Sequence, residues 1–80
     1  MILICERGKV VVDLKHAKSI SMEDNYVDID FIDETSVRVD VGELSDEEKD
    51  SLLAFLATYK NKEAVLVLED VIKKIKGDKE

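Results

Sequence analysis

Asp28, Asp30 and Asp40, with Arg38 set among them, are the side chains whose type and spacing most suggest chemistry. Carboxylates at alternate positions of an extended strand project from one face. Gathered on a sheet, they could hold a divalent cation, receive a basic partner, or act as acid and base in glycoside cleavage. Each chemistry makes a demand that the sequence answers. A calcium loop needs a central glycine and a bidentate glutamate at its twelfth position. The run from Asp28 through Ile29, Asp30, Phe31, Ile32 and Asp33 lacks that glycine, and Val39 stands where the glutamate belongs. Glycoside cleavage needs a cleft that orients a sugar and perturbs one pKa, and 80 residues with acids on an open sheet offer little room for one.

The remaining reactive types read as structural. His16 lies between Lys15 and Ala17 in a polar connection, with no cysteine or histidine at ligand spacing, so a surface histidine is expected. Cys5 alternates with Leu3 toward the interior and reads as a buried, unreactive thiol. Nothing local supports a catalytic Cys5–His16 pair, and there is no glycine-rich phosphate loop or zinc spacing. The expectation is a protein that is not an enzyme and uses no cofactor or metal.

The acid is concentrated. Residues 23–50 hold twelve carboxylates against Arg38 and Lys49, a net −10 within a chain of net charge −7. A pI near 4.6 argues against nucleic-acid or anionic-membrane binding, because phosphate neutralisation needs clustered lysine and arginine. Lys73, Lys74, Lys76 and Lys79 end the last helix, where cations suit the negative end of its dipole. No aromatic side chains interleave them as a base-stacking platform would require. With 45% apolar and 39% charged residues the chain is globular. It reads as a single domain over 1–80: a β-meander at 1–42, a helical part at 43–77 and a tail at 78–80. One cysteine, no membrane-length apolar run and no secretory start make the cytoplasm the expected location.

Hydrophobic periodicity is two in the first half and 3.6 in the second. Residues 1–5 and 10–14 flank a turn at Arg7 and Gly8, a register that sets Cys5 against Val10 and Leu3 against Val12. Ile2, Ile4 and Val11 then fall on the opposite face, so both faces of this ribbon want cover. Residues 19–23 and 26–32 pair Met22 with Val27 and Ile20 with Ile29, and set Ser21 toward Asp28 and Ser19 toward Asp30. The next hairpin, returning through 36–41, needs an odd loop if its apolar residues are to share a face. A turn centred on Glu34 then puts Arg38 opposite Asp30 and Asp28 opposite Asp40, the latter a like-charge pair. Ser45 and Glu48 form a capping box ahead of the apolar stripe Leu52, Leu53, Phe55, Leu56 and Tyr59. A second helix is expected along Ala64, Val65, Leu68, Val71, Ile72 and Ile75, closed by Gly77, with Leu66 and Val67 off its stripe. The alternative for residues 65–68 is a short strand. The fold class is α+β: an antiparallel meander of about five strands followed by two helices packed on it.

Residues 1–14, the Lys18, Ser19, Ile20 approach to the next strand, and the helix from Ser45 to Tyr59 carry a resemblance of layout. The chain resembles small orphan proteins of bacteriophages and mobile elements of Gram-positive bacteria, which run as a pleckstrin-homology-like or other meander and finish in a helix. The resemblance implies an accessory or host-interacting protein and supplies no functional residues.

The expected function is a non-catalytic protein-interaction module. Its motive is surplus apolar surface at Ile2, Ile4, Val11, Leu66 and Val67. The partner is another protein or a second copy of the chain, with no direct nucleic acid and no membrane. One alternative presents Asp28, Asp30 and Asp40 to a basic protein channel in imitation of nucleic-acid phosphates. The other is a small enzyme or divalent-cation site.

Overall fold

The computed structural model describes residues 1–77; the 78–80 tail, and with it Lys79 of the basic cluster, lies outside the described residues. The chain forms β1 (Ile2–Cys5), β2 (Val10–Asp13), β3 (Ala17–Glu23), β4 (Tyr26–Phe31), β5 (Ser36–Asp40), α1 (Asp46–Tyr59), β6 (Val65–Val67) and α2 (Leu68–Gly77). The α+β class holds, with a β3-β4-β5 meander and two helices among the described residues. The strands divide into two three-stranded sheets, because the β1–β2 hairpin pairs with β6 and not with the meander.

The first hairpin keeps the expected register, Cys5 against Val10 and Leu3 against Val12. Arg7 (φ 58) and Gly8 (φ 88) both take left-handed conformations, and the Lys9 N–H donates to the Glu6 carbonyl at 3.2 Å. That geometry is the hairpin turn whose twist matches its flanking strands. The β3–β4 pair also follows the alternation, with Met22 against Val27 and Ile20 against Ile29.

Two expectations are corrected. The β4–β5 loop is odd, as the apolar pattern requires, but it centres on Asp33 and not on Glu34. The Asp33 carboxylate accepts from the Thr35 N–H (3.1 Å) and hydroxyl (2.6 Å), and Glu34 takes the left-handed position (φ 71). The Phe31 N–H donates to the Thr35 carbonyl at 2.9 Å and closes the loop. The register therefore moves by two residues. Val39 lies opposite Val27 and Val37 opposite Ile29.

Residues 65–67 are a strand, not the start of a helix. They pair in parallel with β1, Ile2 beside Val65, Leu3 beside Leu66 and Ile4 beside Val67. Alternation explains why: Leu66 faces the core while Val65 and Val67 face outward, and β1 would otherwise have an unpaired edge. Only Leu68, Val71, Ile72 and Ile75 of the expected stripe are helical, and they pack α2 on the core.

One core joins the layers. Leu3, Cys5 and Leu14 meet Val27, Ile29 and Val39 of the meander, and Leu52, Leu56, Leu68 and Val71 of the helices. Helix α1 begins at the capping box: the Glu48 N–H donates to Ser45 Oγ (3.2 Å) and the Ser45 N–H to Glu48 Oε1 (2.7 Å). Asp46, Glu47 and Glu48 occupy the positive end of this helix, so part of the acidic segment has a structural use.

Candidate interaction surface

The outer face of the meander carries the three aspartates. In the observed register Asp28 lies opposite Arg38, Asp30 opposite Ser36, and Asp40 opposite Tyr26. The like-charge Asp28–Asp40 pair and the Asp30–Arg38 pair do not form. Asp28 instead accepts two hydrogen bonds from Arg38, at 2.7 Å from Nε and 3.2 Å from Nη2. Those bonds hold the Asp28 carboxyl below the ordinary carboxylate range and strengthen the proton affinity of Arg38. Arg38 also approaches Glu23 at 3.8 Å and lies 5.3 Å from the centre of the Tyr26 ring. Asp30 accepts from the Ser19 hydroxyl at 3.1 Å. Asp40 accepts from the Gly42 N–H at 2.8 Å and stabilises the turn in which Gly42 takes φ 73. Each acid has a partner within the chain.

Among the described residues, no cluster of three or more histidine, cysteine or acidic side chains could hold a metal ion. His16 is exposed, and its Nε2 lies 4.0 Å from Asp13 Oδ2. Cys5 is fully buried, and burial pushes its thiol up to about 11, with Glu69 and Glu6 adding to the effect. A thiol so placed is almost wholly protonated at neutral pH and is a poor nucleophile.

The sheet formed by β2, β1 and β6 has a different character. Its inner face, Leu3, Cys5 and Val12, is buried. Its outer face aligns Val11 with Ile4 and Ile4 with Val67, and sets Ile2 beside Val65. Val11 is 60% exposed, Val65 62% and Ile2 38%; Ile4 and Val67 are half-buried by their neighbours. Ile2, Ile4, Val11 and Val67 thus gather on one surface, whereas Leu66 turns inward from the same strand. Val65 is the member that sequence periodicity missed. Its place on an apparent helical stripe hid it, and only the pairing of β6 with β1 exposes it. Beyond Val65 and Val67, the free side of β6 opens on a groove of about 520 Å³ lined by Phe55, Leu66, Val71 and Ile75 with Asp70 and Lys74.

No helix among the described residues is long and apolar enough to cross a membrane. Compared with known proteins, the chain matches no family model, no curated protein and no solved structure.

Proposed function

We propose that the protein is a non-catalytic interaction module that docks another protein on the outer face of the β2-β1-β6 sheet. The observation that carries this reading is the apolar group of exposed Ile2, Val11 and Val65 around half-buried Ile4 and Val67, on a sheet whose other face is already in the core. Adjacent branched side chains on one sheet face are the kind of apolar patch that marks a contact site on a soluble domain. Covering them removes their surface from water at about 25 cal/mol per Å², a gain that needs no charge on the partner.

The acidic segment gives less support to a function of its own. A basic ligand at Asp28, Asp30 and Asp40 would compete with Arg38, Ser19 and the Gly42 N–H for the same oxygens. The resemblance to phage and mobile-element proteins supports an accessory role in such an element. A single buried thiol is at home in a reducing compartment, which supports the cytoplasm.

The test uses two variants of the immobilised protein. Ile2→Lys with Val11→Lys should lose the captured partner while keeping the wild-type melting transition. Asp28→Asn, Asp30→Asn and Asp40→Asn together should keep it. The reverse pattern would assign docking to the acidic face.

A further inference from the structure

We infer that the free edge of β2 and the hollow beside it bind an extended segment of another protein, one in which a lysine or arginine adjoins a large apolar residue. This site is separate from the outer face of the β2-β1-β6 sheet, so the inference goes beyond the docking read for that face.

The backbone selects an extended occupant. The Leu14 N–H donates to the Met1 carbonyl at 2.9 Å, while the Ile2 N–H turns the other way, to the Ala64 carbonyl at 2.8 Å. With Cys5 opposite Val10 and Leu3 opposite Val12, bonding to β1 falls to Val10, Val12 and Leu14. The alternate residues point outward. Val11 presents its N–H and C=O there, and Asp13 its N–H. The Asp13 carbonyl belongs to the 3-10 turn over Leu14–His16. Three backbone groups along one edge are answered by the backbone of another strand, whereas a helix has already used its own.

The hollow selects an apolar residue in that strand. It holds about 460 Å³ between Val11, Val12 and Asp13 on one side and Phe31, Ile32 and Asp33 on the other. Phe31 is half-buried. Ile32 is 68% exposed, the most of any large hydrophobic side chain among the described residues, and it lies off the docking face. An added strand continues the alternation of β2, so its residue level with Val12 turns inward beside Phe31. Its residue level with Asp13 turns outward beside that carboxylate.

Charge selects the second residue. The hollow sets two carboxylates, Asp13 and Asp33, against the single imidazole of His16, so it is negative whether or not His16 carries a proton. Asp13 Oδ1 accepts from the Lys15 N–H at 3.0 Å, and Asp33 Oδ1 accepts from Thr35. No hydrogen bond among the described residues uses the second oxygen of either. The other apolar grooves differ. The one between Asp40 and α2 matches Asp40 and Glu69 with Lys73 and Lys76, and the one along β6 matches Asp70 with Lys74. Only a cation complements the β2 hollow, and it stands next to the inward apolar residue of the same strand.

The test is selection of a displayed library of random twelve-residue peptides on the immobilised protein. Enriched peptides should share a lysine or arginine next to a large apolar residue. Hydrogen exchange of the unmutated protein should then show the Val11 and Asp13 amides exchanging freely alone and protected with a selected peptide, while the Val12 amide is protected throughout. This readout needs no variant to fold. Asp13→Asn, which keeps the acceptor for Lys15, should weaken the selected peptide about three- to tenfold. Ile32→Lys should abolish its binding without moving the melting transition. Enrichment of no peptide, enrichment of acidic ones, or binding that leaves the Val11 and Asp13 amides exchanging freely overturns the inference. None of these outcomes touches docking on the outer face, which fails separately if Ile2→Lys with Val11→Lys keeps the captured partner.

Discussion

Arg38 sits between Asp28 and Glu23 on the meander's outer face, and its guanidinium also covers Tyr26. Its two bonds to Asp28 lower that carboxyl's pKa, as the Thr35 hydroxyl and N–H lower that of Asp33. A carboxyl with a depressed folded-state pKa binds fewer protons than in the unfolded chain, so its stabilising contribution is present above the unfolded value near 4. It is lost as pH falls through the folded value. Urea midpoints should therefore drop below about pH 4, and Asp28→Asn with Asp33→Asn should flatten that acid limb. Cys5 has the opposite sign. Its thiol is raised to about 11, so the contribution is intact below the unfolded value near 9 and is lost as pH rises through the folded value. At pH 8 a disulfide reagent should modify native Cys5 only at the rate of unfolding; fast modification would contradict its burial. Alternation placed Cys5 inward and a polar connection placed His16 at the surface, and both are there. The partners of Asp28 and Asp40 were not legible, because they depend on which residue centres the β4–β5 turn.

Elements behave according to how local their causes are. The capping box is written in adjacent residues and forms as read, so Ser45→Ala should cost about 1 kcal/mol in urea unfolding. Leu56 is fully buried between α1 and the rest of the core, and Leu56→Ala should cost about 2–5 kcal/mol. The β1–β2 and β3–β4 registers were legible because short turns fix them. The β4–β5 register was legible only in parity. Period-two alternation keeps the apolar faces together in registers two residues apart, and the side-chain bonds of Asp33 to Thr35 choose between them. Helix and strand could not be separated at residues 65–67 from local sequence, since β6 is a strand only because β1 is beside it. That non-local pairing hid Val65 and, with it, the extent of the apolar face.

At the scale of the whole molecule, concentrated charge and an uncovered apolar sheet compete as explanations of what the protein meets. The structure gives the acids work inside the fold: Asp28 with Arg38, Asp30 with Ser19, Asp40 with the Gly42 turn, and Asp46, Glu47 and Glu48 at the start of α1. It gives Val11, Val65 and Ile2 no comparable cover. The two surfaces respond oppositely to salt. Contacts between exposed charges are screened within about 8 Å at physiological ionic strength, whereas burial of apolar surface is not weakened by salt and is strengthened by sulfate. The most direct measurement is therefore a salt titration of the complex between the immobilised protein and its captured partner. Docking on the β2-β1-β6 face predicts retention from low salt to molar sulfate. Release that steepens with ionic strength would contradict it and return the function to the acidic face.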